Sequence, residues 1–341
     1  MFSNYEIRKI NGEDVLYIYM TYQYEFSKEF ADYQENDLKI LSNQFININN
    51  IPFRGDKVYF IVDGMIVKKI SLVDSNLYYS PDCFTLSVQI EENAFTEISL
   101  REYLLSVLFA NYSQDLGDEV LKSIGILFQT YAYKMMKKQN YIPYQSSFGV
   151  YLPYKNYSES FKNFDAIVER LNEIINQISC LYLAYKGDYI LPFIHYSNSG
   201  KTLSNIKYPY LTSVKSLWDI TSPTYLSIVD YDFKTLSDLF KVKLDSNSNI
   251  QILSNGSSIK FGYRTFSIYE LKNLLNLNSV DISIIVNRNG IKFVCKGIGN
   301  GLGLSVYGAS SIESNGGSYN HILSYYFPKC SLYKNIKELS S

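Results

Sequence analysis

Two short segments of the chain carry residue types that could bind a phosphate group. Glycines recur at positions 297, 299, 301, 303 and 308, directly after an apolar, strand-like run, and Ser199–Thr202 reads Ser-Gly-Lys-Thr. A dinucleotide-binding fingerprint that starts at either of the first two glycines needs a third glycine where Leu302 or Leu304 stands. A phosphate loop needs a glycine where His195 stands, five residues before the glycine at 200. Both nucleotide motifs are therefore excluded.

The first segment, Gly297–Ala309, which we call the glycine ladder, favours a tightly folded connection. Glycine reaches positive φ angles and lets other groups approach the backbone closely. Glycines at this density after a strand are typical either of a tight β connection or of a loop that lines a ligand groove. The glycine ladder alone leaves both alternatives open.

The glycine ladder resembles the C-terminal signature of the stage II sporulation protein D family (SpoIID/LytB), G-x-G-H-G-x-G-[LM]-[ST]-Q-[YW]-G-A. Other segments of the chain resemble further blocks of that family and occur in the family's order. They are Ile98–Ala110, Glu119–Ala132, Tyr185–Thr202, Tyr208–Val214, Phe266–Ser279 and Ser318–Pro328. The resemblance implies an α+β fold with a core of helices and antiparallel sheet, and this chain adds an N-terminal β module to it.

The resemblance also implies a site for peptidoglycan. Members of the family are lytic transglycosylases that cleave its glycan strands, with a glutamate as acid/base, or enhancers of cell-wall amidases. A gapless register counted back from Glu119 puts that glutamate at Asn111. An amide cannot protonate a leaving oxygen, although it can hydrogen-bond a sugar. The family's ladder histidine, the glutamine that follows it and an arginine are likewise replaced, by Asn300, Val306 and Gln129.

Three carboxylates near Asn111 are alternative candidates for the acid. Asp115, Asp118 and Glu119 lie on the connection to the next predicted helix and on its first turn. Acidic residues also favour a helix N-terminus through the helix dipole, and this structural interpretation suits Asp118 and Glu119 better. Glu119 moreover matches a family position that is not the acid.

The family's groove, carried over residue by residue, gives a set of candidate ligand-binding positions. Tyrosines among them can stack on a sugar ring, because an aromatic face suits the apolar face of a pyranose. The candidates are Asn111, Tyr112, Gln129, Tyr131, His195, Tyr196, Ser197, Ser199, Gly200, Lys201, Thr202, Gly299, Asn300, Gly301, Ser305 and Tyr307.

A metal or cofactor site has no support in the sequence. Some family members hold zinc near the block that contains His195, but here the nearest cysteine in sequence is Cys180 and no C-x-x-C or H-x-x-C spacing occurs. The four cysteines are widely separated, and three of them sit in or beside apolar runs. We expect free core thiols, no metal and no cofactor.

Composition limits the partners that this chain can have. The net charge is −1 and the basic residues are spread along the chain, which gives no electrostatic basis for binding nucleic acid or an anionic membrane. The N-terminus lacks the charged start and apolar stretch of a signal peptide, and no apolar run is long enough to span a membrane. From the sequence we expect a cytoplasmic chain, unless its N-terminus has been trimmed.

The family resemblance implies a SpoIID/LytB-like domain over 96–335, and the strand-like alternation before it indicates an N-terminal β module over 1–95. Asp14–Met20 and Lys57–Val67 alternate like strands, the second as a hairpin around Asp63-Gly64. Residues 99–109 and 117–138 have helical spacing and should form a helical hairpin, with Asn111 in its connection. Asp165–Ile178 predicts a further helix, and Leu226–Val242 a partly helical segment in which Leu236, Leu239 and Phe240 share one face.

Three functions therefore stay open. The first is a catalytically degenerate SpoIID-like protein that binds glycan strands or a cell-wall or sporulation protein. The second is an active lytic transglycosylase whose acid has moved to Asp115, Asp118 or Glu119. The third is a scaffold for protein interactions alone.

Overall fold

The computed structural model shows a mixed α+β protein, which confirms the predicted fold class. It describes residues 2–10, 13–20, 39–41, 45–47, 57–62, 65–71, 85–92, 94–146, 149–178, 181–253 and 257–334. The chain divides into two compact units, Met1–Leu191 together with Ser331–Ser341, and Pro192–Cys330. The predicted domain boundary near residue 95 stays a prediction.

The N-terminal part of the first unit contains the predicted strands. Strands β1 (Phe2–Ile10), β2 (Glu13–Met20), β5 (Lys57–Val62) and β6 (Met65–Ser71) form one sheet in the order β1-β2-β5-β6. β5 and β6 pair antiparallel, which confirms the predicted hairpin, although Asp63 and Gly64 lie outside the described residues. β3 (Lys39–Leu41) and β4 (Phe45–Asn47) pair with each other.

The predicted helical hairpin follows a two-stranded antiparallel sheet, β7 (Thr85–Glu91) and β8 (Ala94–Ser99). Helix α1 (Leu100–Ala110) begins where the Ser99 hydroxyl accepts a hydrogen bond from the N–H of Glu102. Helix α2 (Asp118–Gln139) ends at Asn140, which is left-handed and so terminates the helix. Both helices bury apolar residues along most of their length, as their helical spacing predicts.

The remainder of the first unit packs around this hairpin. It comprises β9 (Gln145–Ser146), β10 (Gly149–Val150), a 3₁₀ helix (Tyr154–Tyr157), α3 (Phe164–Gln177), β11 (Leu181–Tyr185), β12 (Asp188–Tyr189) and β21 (Ser331–Lys334). Helix α3 confirms the prediction for Asp165–Ile178 and packs on both α1 and α2. β11 lies between β12 and β21, antiparallel to each.

The second unit is built on two three-stranded antiparallel sheets around one apolar core. β14 (Leu226–Asp232), β19 (Gly290–Lys296) and β18 (Ile282–Val286) form one sheet. β15 (Ile250–Leu253), β16 (Ser258–Phe261) and β17 (Arg264–Ser267) form the other. Helices α4 (Phe233–Phe240) and α5 (Ile268–Leu274) complete this core, in which Phe240, Phe261 and Phe293 are fully buried.

The prediction that Leu226–Val242 is partly helical is confirmed, since Leu226–Asp232 is strand β14 and Phe233–Phe240 is helix α4. The predicted shared face was wrong in one residue, because Leu239 is exposed whereas Leu236 and Phe240 are buried. Alternating residues of β14 face the core of the unit, and this two-residue period overrides the weak helical spacing.

The last elements of the second unit carry the glycine ladder. β13 (Ile194–His195) pairs parallel with β20 (Leu304–Ser305), and α6 (Val306–Ser314) and α7 (Tyr319–Tyr326) follow β20. A 3₁₀ helix, Leu217–Thr221, packs against α6. Among the described residues, no helix is both long and apolar enough to cross a membrane.

Candidate functional site

Asn111 lies at the C-cap of α1, on the connection between the two helices of the hairpin, as predicted. Its side chain is exposed, and its Nδ2 donates a hydrogen bond to Val107 O at 2.8 Å. The amide of Asn111 therefore closes the last turn of its own helix. Its oxygen, Oδ1, is the group that a sugar hydroxyl could reach.

The three alternative carboxylates lie close to Asn111 in sequence, and two of them form ion pairs with basic side chains. Arg170 of α3 binds Asp118 Oδ1 through Nε at 2.9 Å and Nη2 at 2.7 Å, and donates to Tyr112 Oη at 3.1 Å. Glu119 forms an ion pair with Lys122 at 2.6 Å. Asp115 is exposed on the connection. Asp118 and Glu119 also occupy the first turn of α2, as the dipole interpretation predicts.

The other two candidates of the first unit lie in its interior. Gln129 is fully buried, and its Nε2 donates to Leu181 O at 2.6 Å, which ties α2 to the start of β11. Tyr131 is buried on the same helix. The position that holds an arginine in the family thus carries, in this chain, an amide that serves the packing of its own unit.

The second unit brings the remaining candidates together, because the glycine ladder packs directly on residues 193–203. Gly297, Gly299, Gly301 and Gly303 all have positive φ angles between 68° and 118°. A Cβ at Gly297 would lie 2.6 Å from Ser197 O, and one at Gly299 would lie 2.6 Å from His195 Cβ. Hydrogen bonds from Ile298 N to Ser197 O and from Leu203 N to Gly301 O join the two segments. The glycine ladder thus allows its backbone to pack closely on the backbone of residues 193–203.

His195 is a buried, neutral member of this packing. Its Nδ1 lies 2.9 Å from Leu302 O, which can only accept, so the proton resides on Nδ1. Nε2 then accepts from Asn198 Nδ2 at 3.1 Å, and the N–H of Gly200 fixes the orientation of that amide by donating to Asn198 Oδ1. Burial lowers the pKa of His195 to about 4, which keeps the ring uncharged at neutral pH.

The polar side chains next to His195 serve the same packing. Ser197 Oγ accepts from Ile298 N, Thr202 Oγ1 accepts from Val214 N, and Asn300 Oδ1 accepts from Leu302 N. Among the described residues, no group of three or more His, Cys, Asp or Glu side chains is placed to hold a metal ion. Cys295 is a buried free thiol in β19, whereas Cys83 and Cys180 lie outside the described residues.

A second buried group, not foreseen from the sequence, lies where the glycine ladder ends. Ser305 caps the N-terminus of α6 by accepting from Gly308 N, and its hydroxyl donates to Asp219 Oδ1 at 2.7 Å. Ser216 and Tyr326 join the group through hydroxyl oxygens 2.8 Å apart. We call Asp219, Ser305, Ser216 and Tyr326 the buried polar cluster. Gly308 permits it, since a Cβ there would collide with both hydroxyls of that pair.

Asp219 is the titratable member of the buried polar cluster. It is fully buried, and among the described residues its Oδ2 has no hydrogen-bond partner. Burial raises the pKa of Asp219 to about 6, against the opposing effect of the neighbouring hydroxyls and N–H groups. A carboxyl with such a pKa resembles a general acid, but no surface of it is accessible to a substrate. The sequence signal for it was a single acidic residue between Trp218 and Ile220 in an apolar run.

The predicted ligand residues of this unit that remain accessible are few. Tyr196 is 43% exposed, and its ring lies 6.4 Å from the half-buried ring of Tyr307. Tyr307 Oη donates to Thr221 O at 3.2 Å, which links it to the 3₁₀ helix. Lys201 is exposed, and Ser199 is partly so. Asn300 is likewise partly exposed, so the accessible candidates of this unit are two neighbouring tyrosines and three polar side chains.

Comparison with known proteins supports a relationship to stage II sporulation protein D. The chain is 23% identical to that protein of Bacillus subtilis (strain 168) over 250 residues, and 25% identical to that of Bacillus amyloliquefaciens over 253 residues. Each match covers 67% of this chain and 73% of the relative. An uncharacterised protein of Brachyspira hyodysenteriae is 22% identical over 91% of this chain and 86% of its own length. No protein-family model matches the sequence.

The first prediction tests the close approach of the glycine ladder. Gly303→Ala would place a Cβ against Phe193 O at a φ of +68°, whereas Gly316→Ala has a similar φ of +82° and open space around the Cβ. The Gly316 variant should lose about 1 kcal/mol of unfolding free energy from the backbone alone. The Gly303 variant should lose more than about 3 kcal/mol, because the clash adds to that strain. Urea denaturation measures both, and equal losses would contradict the packing role.

The second prediction concerns pH. The pKa of Asp219 is raised, so its contribution to stability is full at low pH and is lost as the pH rises through about 6. The pKa of His195 is lowered, so its contribution is full above its ordinary value and is lost as the pH falls towards about 4. The two effects oppose each other between pH 4 and pH 6.5.

Single substitutions should separate these two contributions. Relative to the unmodified protein, Asp219→Asn should become less destabilised as the pH rises from 4 to 7. His195→Gln should become less destabilised as the pH falls from 7 to 4. Unfolding free energies from urea titrations at several pH values measure both differences. Differences that do not change with pH in either variant would show that the two groups do not titrate as described.

Proposed function

We propose that this chain is a non-cleaving, SpoIID-related protein that acts in sporulation or another cell-wall process by binding peptidoglycan glycan strands. The similarity to stage II sporulation protein D supports the general setting. The observation that carries the loss of cleavage is Asn111, whose amide stands at the position of the family's acid and closes helix α1. Glycan cleavage without a proton donor at the leaving oxygen is slow.

Two of the three alternative acids are bound by basic side chains. An acid must be free to deliver a proton to the glycosidic oxygen, yet Arg170 binds Asp118 through two nitrogens and Lys122 binds Glu119. Asp115 lies on the surface of the connection, where water surrounds it. These contacts argue against an active transglycosylase with a relocated acid.

Binding, in contrast, needs only the groups that remain. An asparagine oxygen and exposed tyrosine rings are typical contacts for a sugar, since the rings cover apolar faces and the amide meets hydroxyls. Asn111 presents such an oxygen in the first unit, and Tyr196 presents such a ring in the second, so that each unit by itself offers a candidate sugar contact. The chain's near-neutral charge suits an uncharged polymer backbone.

The third prediction tests this function with purified peptidoglycan sacculi. The protein should sediment with sacculi and release no anhydro-muropeptides, as measured by chromatography of the supernatant. Asn111→Trp should reduce the bound fraction, because the substitution removes the amide oxygen and puts a bulky indole in its place. Gln114→Trp, at an exposed position on the same connection, is the matched control and should bind normally.

Other outcomes identify the competing functions. Release of muropeptides that Asp115→Asn, Asp118→Asn or Glu119→Gln abolishes would establish a relocated acid and overturn the proposal. Absence of any binding to sacculi by the folded protein would favour the protein-interaction scaffold instead.

A further inference from the structure

A small pocket in the second unit uses none of the residues predicted for the groove. Trp218, Ile312, Asn315, His321 and Tyr325 line it, and its volume is about 300 Å³. Trp218 belongs to the 3₁₀ helix, Ile312 to α6, and His321 and Tyr325 to α7, while Asn315 caps the C-terminus of α6. The rings of Trp218 and Tyr325 lie 5.8 Å apart at 58°, so they form two angled walls.

The buried polar cluster anchors both aromatic walls. Asp219, next to Trp218 in sequence, accepts from the N-cap hydroxyl of α6, which fixes the 3₁₀ helix against that helix. Tyr326, next to Tyr325, is buried with its hydroxyl 2.8 Å from that of Ser216. Trp218 and Tyr325 therefore sit beside immobilised neighbours and need little ordering when a ligand binds.

The polar side of the pocket is equally well defined. Asn315 Nδ2 donates to Ser311 O at 2.7 Å, which fixes the plane of the amide and leaves Oδ1 as an acceptor. Gly317 has no side chain to displace the imidazole, since a Cβ there would lie 3.0 Å from His321 Nδ1. The same absent Cβ makes room for Ile312, which lies at the base of the pocket.

The lining residues select a class of ligand. They offer an indole, a phenol ring, an imidazole, an amide and one aliphatic chain, and none of the described lining residues is a carboxylate or an ammonium. Angled aromatic faces with hydrogen-bonding groups at one side suit a neutral ring that has an apolar face and polar edges. The volume is at the lower end for ligand pockets and suits one sugar ring better than a folded peptide segment.

We propose that this pocket is a sugar-binding subsite that takes one N-acetylhexosamine ring of a glycan chain. The pyranose lies against the open side of the contacting indole and phenol rings, Asn315 and His321 hydrogen-bond the acetamido group, and Ile312 contacts its methyl. The choice of a glycan rests on the proposed function, whereas the location and the ring geometry rest on the pocket itself.

The chain supplies its own probe for this subsite. Trp218 is its single tryptophan, so intrinsic tryptophan emission reports on the pocket alone. Titration of the full chain with tri-N-acetylchitotriose should shift and saturate this emission, and cellotriose should produce a weaker effect at the same concentration. Tyr325→Ala should weaken binding of tri-N-acetylchitotriose about tenfold. Tyr325→Phe keeps the ring, loses only the hydrogen bond to Lys215 O, and should bind normally.

Further variants separate this subsite from the proposed function. Asn315→Ala should abolish the preference for the N-acetylated sugar, and Asn111→Ala, which adds no second tryptophan, should leave the emission titration unchanged. Unchanged emission with tri-N-acetylchitotriose, or an equal response in Tyr325→Ala, would overturn the subsite. If sacculi still bind in that case and Asn111→Trp weakens their binding, the proposed function stands without it. A saturable emission shift in a protein that fails to bind sacculi would support the subsite and reject wall binding.

Discussion

The second unit depends on a close backbone contact between the glycine ladder and residues 193–203. Gly297, Gly299 and Gly303 each occupy a left-handed conformation at a place where a Cβ would strike the opposite segment. With backbone packed on backbone, the hydrogen bonds between the two segments satisfy polar groups that are otherwise buried. His195 and the buried polar cluster then fill the interior on either side of the contact. Larger side chains in the glycine ladder would separate the two segments and so disturb the packing of both groups.

Burial shifts the pKa values of the two buried titratable groups of this unit in opposite directions, and different neighbours hold each group. His195 is kept neutral by burial and by an asparagine that accepts from Gly200 N and donates to Nε2. Asp219 is held by the Ser305 hydroxyl at the N-terminus of α6, where the helix dipole favours negative charge. Burying a carboxylate is costly, and the cluster offsets only part of that cost. The resulting framework is rigid and places Trp218 and Tyr325 at its surface.

The sequence predicted much of the fold because its signals are local. Helical spacing and period-two strands identify α1, α2, α3 and the β5–β6 hairpin within a few residues. Fewer contacts of the candidate site could be predicted from the sequence. The resemblance identified Asn111 and the glycine ladder, but it could not show that Gln129 is buried or that Asp219 binds Ser305, a residue 86 positions away. Such contacts arise from tertiary packing, which local spacing does not encode.

Asn111 and the glycine ladder are under different physical constraints. On the function proposed above, Asn111 stands where a catalytic carboxylate would act on the transition state alone, so an amide there does not disturb folding, and its side chain in fact closes helix α1. The glycine ladder contributes to folding, so it cannot change without loss of the backbone contact. A non-cleaving protein, as we propose this chain to be, would therefore change its catalytic group more readily than its backbone contacts. Rings and amides on such a rigid surface can bind a sugar without any proton transfer, and for that reason binding is the activity that this scaffold can support most directly.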